Sequence, residues 1–158
     1  MLRLIALSRD VLTTPARSAL LAISEPPLPR KDSRRMPIKQ RILCVDDYVD
    51  ICALICSILV DFEVVVAYSR TEGLRRVKGG LFDLYLLDYS LPDGTGLELA
   101  TLIRQFDDST PILICTSSQT LTVRDVSKVG AQGLVAKDHL TDDLLRQVSL
   151  LLNPSTAS

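Results

Sequence analysis

LYLLDYSLPDGTG, residues Leu84 to Gly96, puts one acid at the end of an apolar run, ahead of a loop with Pro92, Gly94 and Gly96. Such a run reads as a strand covered on both faces, as in a parallel sheet flanked by helices. Asp88 at its end has two readings. Asp is a good turn residue, and strands must end. A carboxylate at the carboxyl end of a parallel strand also stands where open α/β sheets hold their ligands. The rest of the chain decides between them.

Upstream, RILCV (residues 41–45) is a short apolar run ending in Asp46-Asp47. Helical spacing follows from Val49 to Val60, with Ile51, Leu54, Ile55, Ile58 and Leu59 expected on the inner face. EVVVAY (63–68) is rich in β-branched residues and reads as a strand. A helix is expected over 71–78, closed by Gly79-Gly80. Downstream, the pattern predicts a helix over 96–106, with Leu97, Ala100 and Ile103 on one face. PILIC (111–115) is a strand ending at Thr116. A helix over 121–129 stops at Gly130, and GLVA (133–136) is a strand ending at Lys137. A last helix spans 140–152, with Thr141 as its expected N-cap before Asp142 and Asp143. Five βα repeats imply a doubly wound parallel sheet with helices on both faces.

The chain has 158 residues, 47% of them hydrophobic and 23% charged, ordinary values for a soluble domain with a sizeable core. Residues 1–36 carry seven Lys/Arg and three Asp/Glu, and residues 37–158 carry eleven and sixteen. The later part is therefore mildly acidic, which argues against a nucleic-acid face on it. Five of the eight prolines fall within the first 37 residues, and no glycine precedes Gly73. Residues 1–38 are expected to be a disordered extension, 39–153 the folded domain and 154–158 a short tail. Arg9 and Asp10 interrupt the only apolar run near the start, which argues against a signal peptide. Met36 stands immediately before the folded part as an alternative start. No apolar run approaches the ~20 residues of a membrane span. Cys44, Cys52, Cys56 and Cys115 form no CxxC pair and are expected to be small buried hydrophobes in a reducing, cytoplasmic setting.

The strand ends then line up. Asp46-Asp47, Asp88, Thr116 and Lys137 all terminate strands, and parallel strands bring those ends to one edge. Each alone is ordinary: an acid at a helix start, a turn residue, a cap, a surface lysine. Together, three carboxylates repel and resist ionising. Such a group needs a counter-charge, and oxygen-only ligands suit Mg²⁺. A metal, an ammonium and a hydroxyl around one carboxylate make a phosphoryl-transfer site.

ILCVDD, LYLLDYSLPDGTGLEL, PILICTSS and GAQGLVAKD, in this order and spacing, resemble the response-regulator receiver domain over roughly residues 39–152. The resemblance implies a flavodoxin-like (βα)5 fold with strand order 2-1-3-4-5. It implies a phosphoacceptor signalling protein rather than a turnover enzyme. Asp88 would be the acceptor, Thr116 the switch hydroxyl and Lys137 the ion-pairing lysine. Asp46, Asp47, Asp88 and the backbone carbonyl of Ser90 would hold Mg²⁺. The expected donor is a sensor histidine kinase or a histidine phosphotransfer protein. Output is expected as a stand-alone regulator, by docking to a downstream protein or by phosphorelay, without direct contact to nucleic acid or membrane. The responding face, built from the fourth helix, fifth strand and fifth helix, would include Val126, Leu134, Val135 and Leu145.

Two positions depart from the family. An aromatic residue is usual three before the lysine, where Leu134 stands, and a cis-proline is usual after it, where Asp138 stands. These leave open a docking module that keeps the fold without phosphorylation. A haloacid-dehalogenase-like phosphatase also uses an aspartyl phosphate. Its chemistry wants an acid two residues after the nucleophile, where this chain has Ser90.

Overall fold

The computed structural model describes residues 38–153, so the expectations for the leader and the tail lie outside the described residues. In chain order the elements are β1 (Arg41–Val45), α1 (Val49–Ile58), β2 (Glu63–Ala67), α2 (Arg70–Gly79) and β3 (Leu84–Asp88). Two short strands follow, β4 (Ser90–Leu91) and β5 (Gly94–Thr95). Then come α3 (Gly96–Ile103), β6 (Ile112–Thr116), α4 (Val123–Ser127), β7 (Gly133–Ala136) and α5 (Leu140–Leu152). The main sheet runs β2-β1-β3-β6-β7 with every pairing parallel. Its five strands thus follow the expected 2-1-3-4-5 order of the flavodoxin-like arrangement. β4 and β5 form a small antiparallel hairpin with Pro92 and Asp93 at its turn, which the apolar pattern did not announce.

The sheet separates two apolar layers. Leu43, Val45, Tyr85, Leu87, Ile112 and Ile114 pack on one side with Leu99, Ala100 and Ile103 of α3. Ile42, Cys44, Leu84, Leu86, Leu113 and Cys115 pack on the other with Ile55 of α1 and Leu144 and Val148 of α5. β3 and β6 are buried at every residue, which is why they read as unbroken apolar runs.

Several expectations need correction. Cys56 is exposed, whereas Cys44, Cys52 and Cys115 are buried. Cys52 sits where α1 meets the sheet, and a residue four positions on is rotated by 40° on a helix, enough to leave a narrow contact seam. Leu54 also faces outward. α4 is five residues long and begins after Thr122, whose hydroxyl accepts from the Asp125 backbone N–H in a capping box. That reciprocal cap stops the helix from reaching back to Leu121. α3 ends at Ile103 and continues only as turns. Thr141 is not a cap: α5 begins at Leu140, fed by a 3₁₀ turn over Lys137–His139. Val126 and Val135 are buried in the core and cannot form an outer responding face, while Leu145 is exposed and Leu134 half-buried. The chain passes Asp138 without a cis peptide bond.

At the opposite edge of the sheet, loops are tied by two charged side chains. Arg104 donates to the carbonyls of Asp107, Thr110 and Gly130, fastening the α3–β6 loop to the loop before β7. Asp107 accepts from the Ser109 and Thr110 backbone N–H groups and from the Tyr85 hydroxyl at 2.8 Å. Partial burial works against the Asp107 charge, but these donors outweigh it and hold the carboxyl down at about 2. A depressed acid contributes stability above its unfolded value and loses it as pH falls through its folded value. Asp107→Ala is therefore expected to cost about 1–3 kcal/mol near pH 6, the penalty of orphaned donors. Denaturant titrations at pH 6 and pH 3 should show the gap narrowing in acid, because the unfolded acid titrates near 3.9. A gap independent of pH would mean that Asp107 acts by shape alone.

Candidate functional site

Strand register sets the site. Val45 pairs with both Ala67 and Leu87, Asp88 with Cys115, and Thr116 with Ala136, so all the carboxyl ends lie along one edge. Asp46 continues β1 by donating its N–H to the Ala67 carbonyl, then turns the chain. Its Oδ1 accepts from the Tyr48 N–H at 2.9 Å, a local Asx turn. That fixes the carboxylate and leaves Oδ2 facing inward. Asp88 ends β3 paired with Cys115, and the Tyr89 N–H still bonds the Cys115 carbonyl at 2.8 Å, so the acid is held against β6.

Carboxylate oxygens of Asp46, Asp47 and Asp88 all lie within 4.8 Å of one another. Asp46 and Asp88 are buried and Asp47 is exposed. Lys137 closes the group, with Nζ 2.6 Å from Asp46 Oδ2 and 3.0 Å from Asp88 Oδ1. Despite that closeness Asp46 Oδ2 has no aligned hydrogen-bond donor, so the contact is electrostatic attraction between misaligned groups. Burial is the main cause that pushes the Asp88 carboxyl above its ordinary value. Lys137 opposes the rise, and the charges of Asp46 and Asp47 add to it. Burial would lower the lysine, but its contacts with Asp46 and Asp88 outweigh that and hold it above the usual ammonium value.

Thr116 is buried at the end of β6, and its Oγ1 accepts from the Ser118 N–H at 2.9 Å. It does not cap α4. The hydroxyl also carries a proton that it can donate. Tyr48, Asp88, Tyr89, Ser90, Thr116, Ser117, Ser118 and Lys137 line a cavity of about 350 Å³ that reaches Asp88. The sequence-derived residues Asp46, Asp47, Asp88, Thr116 and Lys137 are thus brought to one place, with Ser90 in the cavity wall.

The donor set fits a hard divalent cation. Three carboxylates offer oxygen ligands only, one buried oxygen lacks an aligned donor, and the native counter-charge is a single ammonium. Small octahedral cations such as Mg²⁺ take one or two carboxylates and keep several waters. Cysteine ligands are absent from the cluster, which disfavours softer metals.

Three supporting residues escaped the sequence reading. Asp93, at the hairpin turn, accepts from the N–H groups of Arg70 and Thr71 and from the Thr71 hydroxyl. It ties the loop after Asp88 to the start of α2, 22 residues away. Arg70 returns the tie through Glu98 at 2.8 Å. Gly96 opens α3 against the acceptor strand: a Cβ there would overlap the Asp88 backbone carbonyl oxygen, and its N–H donates to the Tyr89 carbonyl at 3.0 Å. Its place in a turn-rich stretch hid this packing role. Gly96→Ala is expected to cost about 1–3 kcal/mol, because a backbone atom cannot swing aside as a side-chain end does. Chemical denaturation checks it, and wild-type stability would show that α3 can shift freely away from β3.

The response regulator receiver domain family model matches residues 42–149. The transcriptional regulatory protein DltR of Streptococcus agalactiae is 33% identical over 119 residues, 73% of this chain and 53% of that protein. The chemotaxis protein CheY of Bacillus subtilis is 31% identical over 117 residues, 72% of this chain and 98% of that protein. The chain therefore spans about half the length of relatives such as DltR. Among solved structures, the response regulator protein TrrA from Thermotoga maritima, crystallised in complex with Mg²⁺-BeF, superposes with TM-score 0.66 at 32% identity. That match covers 72% of this chain and 99% of that one. With the model matched across its sheet and both acidic strand ends, the chain belongs to the response regulator receiver domain family. Among the described residues, no helix is long and apolar enough to cross a membrane.

Proposed function

We propose that this chain takes a phosphoryl group onto Asp88 from a phosphohistidine donor, either a sensor histidine kinase or a histidine phosphotransfer protein. Signal then passes by protein docking or phosphorelay in the cytoplasm. The observation that carries this reading is the convergence of Asp88 with Asp46, Asp47 and the half-buried Lys137, beside a cavity that Asp88 and Lys137 line.

The Asp88 carboxylate attacks phosphorus in line with the departing imidazole nitrogen. Asp46, Asp47, Asp88 and, by the family resemblance, the Ser90 carbonyl would hold Mg²⁺, which when bound neutralises charge between nucleophile and phosphoryl oxygens. Lys137 pairs with a phosphoryl oxygen and trades part of its present contact with Asp88 for it. Thr116 donates its hydroxyl to another oxygen. If that movement breaks its turn with Ser118, the cost is about 0.5–1.5 kcal/mol, small against a charge-assisted bond of ~1.5–3 kcal/mol. The displaced Ser117–Ser118 segment then biases the surface that carries Val123 and Leu145, both exposed. Ser90 and Ser118 border the approach of water to the acyl phosphate, and neither is a strong base, so hydrolysis is expected to be slow.

The test is incubation with phosphoramidate and Mg²⁺ followed by intact mass. A gain of one phosphoryl group, lost on chelation, supports the reading. No gain would leave a docking module that keeps the fold without the chemistry.

A further inference from the structure

α1, like α5, starts without the side-chain cap that opens α2, α3 and α4. α2, α3 and α4 begin at Ser69, Thr95 and Thr122, and each hydroxyl accepts a backbone N–H three residues on. α1 begins at Tyr48, whose side chain makes no capping bond. The ring does not make up the loss by burial, for Tyr48 is 63% exposed. Local rules of stability are commonly broken where function demands it.

The ring is instead placed at the cavity. Lys137 Nζ lies 5.5 Å from its centroid, and the backbone of Tyr48 is anchored by Asp46 Oδ1. The cavity, at about 350 Å³, falls in the range of small organic ligands and exceeds what a phosphoryl group alone needs. In-line transfer says what fills the rest. As the Asp88 oxygen forms its bond to phosphorus, the P–N bond on the far side breaks and the imidazole nitrogen keeps the electron pair. The ring, already protonated on its other nitrogen, leaves as neutral imidazole, so no further reactant is required. It departs through the cavity, whose lining includes the Tyr48 ring together with Ser90, Ser117 and Ser118.

Resting on the phosphoacceptor reading above, we propose that the Tyr48 ring is a specificity-determining contact for the donor's imidazole, favouring phosphohistidine-like donors over small phosphates that carry no ring. The test compares monophosphoimidazole with phosphoramidate, which has the same P–N bond without the ring, as concentration series with Mg²⁺ and intact-mass readout. The quantity read is the ratio of the two second-order rate constants for wild type, Tyr48→Phe and Tyr48→Ala. Tyr48→Ala should lower the ratio by roughly two- to tenfold, the range of an aromatic pair. Tyr48→Phe should keep the wild-type ratio. An unchanged ratio in Tyr48→Ala, whatever happens to the separate rates, overturns the proposal. Equal loss in Tyr48→Phe also overturns it and assigns the effect to the hydroxyl. Failure of both donors to label the wild type overturns the phosphoacceptor reading and this proposal with it.

Discussion

Asp88→Asn is expected to lose Mg²⁺-dependent phosphorylation completely while folding at least as well as the parent chain. The first half follows from chemistry: an amide oxygen at this place is no nucleophile, and Asp46 is turned to Lys137 and Tyr48. The second half follows from burial. Desolvation, with Asp46 and Asp47 adding to it, raises the Asp88 carboxyl despite Lys137. A group raised on folding contributes stability that is fully present below its unfolded value and is lost as pH rises through its folded value. At neutral pH the ionised Asp88 is therefore a cost to the metal-free native state, and Asn removes it. Asp46 keeps its 2.6 Å contact with Lys137, so the ammonium is not stranded. Thermal melts in chelator should place Asp88→Asn level with or above wild type at pH 7, the difference shrinking as pH falls through the raised folded value and gone below about pH 4, where the unfolded acid also protonates. Labelling of the variant at the wild-type rate would move the acceptor elsewhere. A lower melting temperature would show that Lys137 outweighs desolvation.

The largest expected loss of stability comes from Lys137→Met. Lys137 is the cation that closes a group of two buried carboxylates and one exposed one. Removing one partner of a buried ion pair costs about 3–5 kcal/mol, since the remaining charge is left unpaired. The lower end is expected here, because Asp88 can take up a proton instead of staying charged. Methionine fills a similar volume, so packing changes little. Metal should then partly replace the ammonium. Binding to the native state alone contributes about 1.4 kcal/mol at ten times the dissociation constant, and the variant should bind Mg²⁺ more tightly than wild type. Denaturant titrations of both proteins, in chelator and across a Mg²⁺ series, decide it. Equal stability in chelator would mean that solvent already screens the acids. Stability lost with no extra gain from Mg²⁺ would mean that the lysine serves packing and not charge.

Misplaced features share a cause. Thr141 looked like a cap because Asp142 and Asp143 follow it, yet the 3₁₀ turn after Lys137 had already started the helix at Leu140. Val126 and Val135 belong by element to the expected responding face, but each is buried on a short element whose orientation depends on its neighbours. Leu54 fits helical spacing and Cys56 fits the profile of a small buried hydrophobe, and only the width of the α1 contact puts them outside. Asp93 and Gly96 act through partners distant in sequence or through a backbone approach, and no local pattern encodes either.

What the sequence by itself determined is the parallel sheet and the identity of the residues at its carboxyl edge. Apolar runs bounded by polar residues report burial on both faces, and parallel strands must end together. What only the tertiary structure decided is how those ends meet. Three carboxyl groups gather within 4.8 Å, Lys137 takes the place between Asp46 and Asp88, and Tyr48 stands uncapped beside it. Charge and burial at a site are sums over elements from every part of the chain, so the balance that raises Asp88 comes into being only when β1, β3 and β7 are side by side.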